Sequence, residues 1–332
     1  MTTMLVYGID HLFGAAIARW LSTHMTGRLI GLGERMPDAP TGRAEILTAT
    51  LDGQQLVELL RATQVQVVIQ PTFVGEETLV ANREVACQQN VLRNMELLGA
   101  CAVAGVKRVI LRSSTLVYGA SYRQPAFINE QQALADRHRR GLLRDYIEID
   151  AFASEFVRKH PQLDLLLLRC ASFAGGWIAS PLTRYLARPY PPMLLGFDPR
   201  IQVLHPDDAV HAFGLAATST ATGSFNLAAT APVKLAHAIR LAGRQPLPFF
   251  EPLLNTAWPG ASHDHYSNWP FEPDFFRYGC VADIRRAENE LPWMAEYGTE
   301  AALRALISTQ SDHAEARSTN PLEAFLSRRS AP

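Results

Sequence analysis

The chain of 332 residues predicts an α/β fold, in which a doubly wound parallel sheet is covered by helices on both faces. Short runs of consecutive apolar residues alternate along the chain with longer stretches in which apolar residues recur at helical spacing. Strands that are apolar throughout are typical of parallel sheets, because crossover helices bury both faces of such a sheet. A glycine-rich turn between the first strand and the first helix also indicates this fold class.

The predicted elements follow one another as strand and helix over the first half of the chain. Strands are predicted, in order, at Met4–Tyr7, Arg28–Leu32, Val65–Ile69, Val106–Leu111 and Leu163–Leu168. Helices are predicted between them at Leu12–Leu21, Leu51–Ala62, Thr78–Ala104 and Asp145–His160, and Gly105 ends the third helix. Two later apolar runs, Ile201–Leu204 and Ser224–Leu227, predict further strands.

The regular alternation of strand and helix patterns ends after about residue 175, where prolines interrupt it. We therefore expect a first domain over residues 1–175 and a smaller substrate-binding lid over residues 176–308, interwoven with the last strands of the sheet. The polar residues 309–332 predict a flexible tail.

The composition excludes several kinds of partner. A net charge of -1 provides no general attraction to nucleic acid or to an anionic membrane, and no apolar run is long enough to span a bilayer. The four cysteines lack the C-x-x-C spacing, so we expect reduced thiols, and without a signal-peptide pattern we expect a cytoplasmic protein. His263-Asp264-His265 lacks a third ligand, so no metal site is predicted.

The turn after the first strand resembles the phosphate-binding turn of a Rossmann-type dinucleotide fold. Gly8 and Gly14 occupy the outer positions of a G-x-x-G-x-x-G pattern, and His11 replaces the middle glycine. Glycines at such a turn let the backbone approach a pyrophosphate at the positive end of the following helix. The His11 side chain either crowds that phosphate or donates a hydrogen bond to it, and an ordinary strand-to-helix turn is the alternative interpretation.

Two charged residues follow the second predicted strand, where dinucleotide sites often have an acidic residue that binds the ribose hydroxyls. Glu34 fills this role if the register shifts by one residue, whereas Arg35 is suited to the 2′-phosphate of NADP. The choice between NAD and NADP therefore stays open, as does the alternative that both side chains form a solvated charge pair.

Residues 106–119 end in Ser113-Ser114-Thr115-Leu116-Val117-Tyr118-Gly119, after an apolar strand. This run closely resembles the extended short-chain dehydrogenase/reductase family, which includes nucleotide-sugar epimerases and dehydratases, and the resemblance covers roughly residues 4–307. It implies that residues 1–175 bind NAD or NADP, that the substrate is a small molecule, and that Asn90 anchors a segment near the nicotinamide. Relatives often form homodimers through two long helices, for which this chain offers six apolar positions: Leu97, Leu98, Cys101, Ile149, Phe152 and Phe156.

The resemblance also implies a catalytic serine, a tyrosine and a lysine four residues after the tyrosine. Ser114 and Tyr146 match the first two positions, but Asp150 stands in place of the lysine, and none of the nine tyrosines has a lysine at +4. A carboxylate one helical turn from Tyr146 should raise the pKa of its phenol, which makes it a poor base but leaves it a hydrogen-bond donor or acid. Arg144 and Arg169 are candidates to replace the lysine in space.

Further departures from the family pattern occur at Thr50-Leu51 and Gln70-Pro71. They leave two hypotheses for the function. The first is an atypical NAD(P)-dependent oxidoreductase or epimerase that acts on a hydroxyl or carbonyl of a small, sugar-like metabolite. The second is a catalytically impaired member of the family that serves as a binding or accessory subunit.

Overall fold

The computed structural model describes residues 2–77, 82–136, 139, 141–250 and 272–306. The predicted tail, residues 309–332, and the His263-Asp264-His265 group lie outside these described residues.

A seven-stranded parallel sheet forms the centre of the molecule, as the sequence predicts. In chain order, the strands of this sheet and of three smaller two-stranded sheets are β1 Thr3–Tyr7, β2 Arg28–Gly33, β3 Glu45–Thr48, β4 Val67–Gln70, β5 Arg108–Ser114, β6 Asp164–Cys170, β7 Ser172–Phe173, β8 Pro192–Leu194, β9 Arg200–Ile201, β10 Val203–Leu204, β11 Gly223–Leu227, β12 Val233–Lys234 and β13 Leu247–Phe249. The sheet order is β3-β2-β1-β4-β5-β6-β11. The order reverses between β1 and β4, and ligands of open α/β sheets bind at such a point, outside the carboxyl ends of the strands.

Helices cover both faces of this sheet. They are α1 Leu12–His24, α2 Gly53–Ala62, α3 Arg83–Ala104, α4 Gly141–Lys159, α5 Pro181–Leu186, α6 Pro206–Thr218, α7 Leu235–Leu241 and α8 Arg285–Glu290. Local signals in the sequence fix several of their ends. Asp52 begins α2 with a reciprocal capping box, and Gly105 ends α3 in the left-handed conformation, at a φ of +77°, where glycine has no steric penalty.

The positions of three predicted elements need correction. The run Val65–Ile69, predicted as the third strand, is the fourth strand of the chain and spans Val67–Gln70, because the edge strand β3 lacks the continuous apolar pattern that would have predicted it. The fifth strand extends to Ser114 rather than ending at Leu111, so three polar residues continue a buried strand. Helix α4 begins at Gly141, four residues before the predicted start at Asp145, so Tyr146 lies in its second turn.

Two apolar cores, one on each face of the sheet, determine which way the end of β5 points. One core contains residues of α1 and α6, and the other contains residues of α2, α3 and α4. Successive side chains of a strand point to opposite faces. Arg112 therefore points towards α1, whereas Ser113 points towards α4 and bonds to it.

The chain beyond residue 175 contributes both to the sheet and to a separate core. Strand β11 pairs with β6 at the sheet edge, and α6 packs beside α1. Helices α5 and α7 build a further apolar core with strands β8, β10 and β12. Within the described part of the chain, no helix has the length and hydropathy needed to cross a membrane.

Candidate cofactor and active site

The turn between β1 and α1 has the geometry of an anion-binding turn. Gly8 adopts a φ of +83°, and a Cβ at Gly14 would collide with the backbone carbonyl of Gly8, so both positions require glycine. His11 is the N-cap of α1, but its side chain makes no capping hydrogen bond. The backbone N–H groups of the first helical turn are therefore not satisfied by the capping side chain, and the positive end of the helix dipole lies at this turn.

A carboxylate of the chain itself lies at this turn. The Glu77 Oε2 atom is 4.0 Å from His11 Nδ1. Burial raises the pKa of Glu77, while His11 and the backbone N–H of Phe13 act in the opposite direction. A partly buried carboxylate against the start of a helix takes the place that a phosphate oxygen occupies in an anion site. The donors of this turn therefore fit the pyrophosphate of a dinucleotide.

The two charged residues predicted to contact the ribose both lie just after β2. Glu34 forms an ion pair with Arg93 of α3, whose guanidinium lies 5.6 Å from the ring centroid of Tyr7. Arg35 extends into solvent, with its Nε atom 4.0 Å from a carboxylate oxygen of Asp10. Glu34 therefore has the more fixed position of the two.

Residues 71–77, which we call the post-β4 segment, cross the carboxyl ends of the strands. Asn90 of α3 accepts a hydrogen bond from the Val74 N–H at 2.8 Å and donates one to the Val74 carbonyl at 3.1 Å. Its amide also donates to Asp145 at 2.7 Å. Asn90 thus joins the post-β4 segment to the start of α4, which is the kind of anchoring contact that the resemblance implies.

Tyr146 lies beneath the post-β4 segment and is only 4% exposed. The ring of Phe73 packs edge-on against it, with the centroids 4.7 Å apart. The pKa of the Tyr146 phenol is raised well above its usual value, chiefly by burial and next by the nearby Glu76 carboxylate. The predicted direction is therefore correct, but the predicted cause is wrong, since the main contributions come from burial and Glu76 rather than from Asp150. Tyr146 is a neutral phenol near pH 7.

Arg112 is a buried charge at the same place, and the sequence interpretation missed it. Its guanidinium forms an ion pair with Glu76 and donates to the Pro71 carbonyl at 2.9 Å. Within the described residues its Nε atom has no hydrogen-bond partner. Three aromatic rings surround it, with its Cζ atom 5.5, 5.4 and 4.6 Å from the centroids of Phe13, Phe73 and Phe173. A cation within an apolar strand was the signal in the sequence that could have revealed it.

Asp150 lies in the core between α4 and the sheet, with no exposed surface. Arg169 of β6 binds it through two parallel hydrogen bonds of 2.8 and 2.7 Å, and the Ser113 hydroxyl donates to it at 2.7 Å. Arg169 also donates to the Tyr118 hydroxyl at 2.8 Å, which in turn donates to Asn226 at 2.7 Å. The Asp150 carboxylate is thus committed to a buried network.

The two arginines considered as replacements for the lysine have other partners. Arg169 binds Asp150, and Arg144 pairs with Glu148 on the surface of α4 at 2.7 Å. Ser114 accepts a hydrogen bond from the Leu116 N–H at 3.2 Å and so caps the short 3-10 helix Thr115–Tyr118. Among the described contacts, no hydrogen bond joins Ser114 to Tyr146. The catalytic roles of Ser114, Tyr146 and Asp150 stay predictions.

Four of the six apolar positions offered for a dimer interface lie inside the monomer. Leu97, Leu98, Cys101 and Ile149 are at most 1% exposed. Phe152 and Phe156 are partly buried and remain available at the surface of α4. Only these two can take part in the predicted homodimer, because the other four already pack against the chain's own sheet and helices.

Comparison with known proteins confirms the resemblance. The sequence profile of the NAD dependent epimerase/dehydratase family matches residues 4–228. Uncharacterized proteins of Mycobacterium bovis and Mycobacterium tuberculosis are 29% identical over 309 residues, which is 90% of this chain and 81% of each relative.

Solved structures of low sequence identity share the fold. The UDP-glucose 4-epimerase of Thermotoga maritima with UDP-glucose is 15% identical, with a TM-score of 0.69 over 94% of this chain and 99% of the epimerase. A short-chain dehydrogenase/reductase of Agrobacterium tumefaciens with bound NAD is 18% identical, with a TM-score of 0.69 over 96% and 100% of the two chains. MoeE5 in complex with UDP-glucuronic acid and NAD is 19% identical, with a TM-score of 0.68 over 94% and 100%.

Proposed function

Because the chain belongs to the NAD dependent epimerase/dehydratase family, we propose that it binds NAD or NADP and acts on a hydroxyl or carbonyl of a small, sugar-like metabolite. The observation that carries the proposal is the turn after β1, which already places a carboxylate at the start of α1. Binding of UDP-sugars together with NAD by MoeE5 supports the substrate class.

Different residues of the site are proposed to bind different parts of the cofactor. Gly8 and Gly14 allow a pyrophosphate to approach the backbone, and the N–H groups of the first turn of α1 hold its charge. Glu34, now paired with Arg93, would accept hydrogen bonds from the ribose hydroxyls. Asn90 supports the post-β4 segment beside the reacting end.

The state of Tyr146 favours reduction of a carbonyl over oxidation of a hydroxyl. A reduced nicotinamide, when bound, would supply a hydride to a carbonyl carbon. Tyr146, held neutral by burial and by Glu76, carries the proton that the carbonyl oxygen needs. The reverse reaction requires a phenolate, and no lysine lies one helical turn from Tyr146 to stabilise one. Ser114, at the end of β5, is proposed to orient the substrate oxygen.

Calorimetric titration with NADH and NADPH tests the binding. We expect a Kd below roughly 1 mM for at least one of them, which corresponds to about -4 kcal/mol. Turnover with a panel of keto-sugars should then fall about 100-fold or more in Tyr146→Phe, with little change in cofactor affinity. The absence of binding by either nucleotide at several millimolar would exclude the proposal.

A specific observation favours a second candidate, the binding or accessory subunit. Asp150 stands at the position of the family's lysine, and both of its carboxylate oxygens accept hydrogen bonds from Arg169 or Ser113. This part of the expected catalytic site therefore stabilises the core instead. This candidate predicts that nucleotide or sugar nucleotide binds without any turnover, and that Tyr146→Phe changes nothing measurable. Single-turnover measurements with bound NADH separate the two candidates.

The proposed location is the cytoplasm. Its support is that all four cysteines are free thiols, three of them buried. Disulfides are rare in reducing compartments, and this pattern agrees with such a location.

A further inference from the structure

The two walls of the ligand crevice touch each other. Ligands of this fold enter where the strand order reverses, which here is between β1 and β4. Gly8 follows β1 and Thr72 follows β4. A Cβ added at Gly8 would collide with the Thr72 hydroxyl, so the post-β4 segment lies directly against the glycine turn.

Two neighbouring carboxylates of the post-β4 segment lie at the crevice, one beside His11 and the other paired with Arg112. Glu77 is directed to the start of α1, beside His11, where the cofactor's pyrophosphate would bind. Glu76 pairs with the buried Arg112 and lies beside Tyr146, where the reacting end would be. Charged groups facing Glu77 are His11, Glu76 and Arg112. The chain thus places one of its own anions at each end of the site.

The lid holds this arrangement in place. Arg184 of α5 donates one hydrogen bond to the Glu76 carbonyl at 2.7 Å and another to the Glu77 carbonyl at 3.1 Å. Asn90 holds Val74 from the opposite side. A movement of α5 would therefore release the end of the segment that carries both carboxylates, while Asn90 still anchors its middle.

We propose that the post-β4 segment is an autoinhibitory element, in which Glu77 occupies the place of the cofactor's pyrophosphate until Arg184 releases it. The inference rests on the proposed function, since it takes NAD or NADP to be the competing ligand. Two anions cannot share the first turn of α1 without strong repulsion, so the cofactor binds only when Glu77 leaves.

Titration with ADP and with NADH and NADPH tests the competition, using binding rather than activity as the readout. ADP carries the adenosine and the diphosphate but no nicotinamide. We expect Glu77→Gln to bind ADP about tenfold more tightly than the wild type, because a neutral amide does not repel the diphosphate. Arg184→Leu should act in the same direction, and the exposed Glu58→Gln on α2 is the matched control.

Hydrogen exchange of the wild type gives a second readout. The Glu76 N–H donates to the Phe73 carbonyl at 3.4 Å in the closed segment, whereas the Val74 amide stays bonded to Asn90 when the end of the segment opens. Saturating ADP should speed exchange over residues 75–77, because binding requires this end of the segment to open. Slower exchange there would show that the site is preformed and would overturn the inference.

The outcomes separate this inference from the proposed function. Equal or weaker ADP binding by Glu77→Gln overturns the inference. NADH binding with the same affinity in wild type and Glu77→Gln also overturns it, while the proposed function stands. Tighter ADP binding without binding of NADH or NADPH supports the blocking of a diphosphate site by Glu77, but removes the proposed function and with it NAD or NADP as the competing ligand. Failure of every variant, each shown to be folded by its melting curve, to bind any of the three nucleotides overturns both.

Discussion

Replacing Asp150 by asparagine should destabilise the protein strongly, because it leaves Arg169 charged and buried without a counterion. Asp150 has no exposed surface, and the Arg169 side chain is 5% exposed. Two hydrogen bonds of 2.8 and 2.7 Å join them. Asparagine keeps the size of the side chain and can still accept a hydrogen bond from Ser113, so the variant removes the charge with little change in packing.

The magnitude follows from this burial. Removing one partner of a buried ion pair costs about 3–5 kcal/mol, because the remaining charge lacks both water and a counterion. Folded proteins have a free energy of unfolding of about 5–15 kcal/mol, so Asp150→Asn should remove a large fraction of it. Arg144→Met breaks the half-exposed pair with Glu148 on the same helix and should cost about 1 kcal/mol or less.

Urea unfolding followed by circular dichroism measures these differences, with Arg144→Met as the control. A double-mutant cycle with Asp150→Leu and Arg169→Met should give a double variant at least about 1 kcal/mol more stable than additivity predicts, because two charges are removed together. A loss below about 1 kcal/mol in Asp150→Asn, or strict additivity in the cycle, would refute the reasoning. The same geometry predicts that Asp150→Lys, which restores the family spacing, places a second cation against Arg169 and unfolds the protein rather than activating it.

Three further predictions concern other parts of the molecule. Burial raises the pKa of Glu77, so above about pH 4.5 ionisation of this carboxyl is less favourable in the folded state than in the unfolded state, and the wild type loses stability as pH rises. Glu77→Gln should therefore melt higher than the wild type at pH 7 but equally near pH 4. A lower melting temperature of the variant at pH 7 would contradict this. Gly14→Ala should lower the free energy of unfolding, measured in urea, by about 1–3 kcal/mol, because the added Cβ would collide with the Gly8 carbonyl. A loss below about 0.5 kcal/mol, the size expected for an ordinary surface substitution, would contradict this. Light scattering should give twice the chain mass of 36.7 kDa, reduced to one chain mass by Phe156→Glu, whereas a single chain mass for the wild type at high concentration would exclude the dimer.

The sequence by itself determined the fold class, the order and approximate positions of most strands and helices, and the family. Apolar runs of strand length and apolar residues at helical spacing are local patterns, and each depends only on residues a few positions apart. The glycine turn could be located in the same way, because Gly8 directly follows the first predicted strand and Gly14 lies in the first turn of the first predicted helix, whereas Ser114 was found only through the family resemblance. The weak edge strand β3 was missed, since its exposed side chains leave no continuous apolar run.

Only the tertiary structure decided how the charged side chains pair. Arg112 and Glu76 are 36 positions apart, and Asp150 and Arg169 are 19 apart, so no local pattern relates them. The parallel sheet brings the ends of β5 and β6 together beneath α4, and the post-β4 segment then closes over them. Burial within that arrangement makes an unpaired charge so costly that each one takes a specific partner. The choice of partner, and with it the closed state of the crevice, therefore depends on packing that the sequence alone does not reveal.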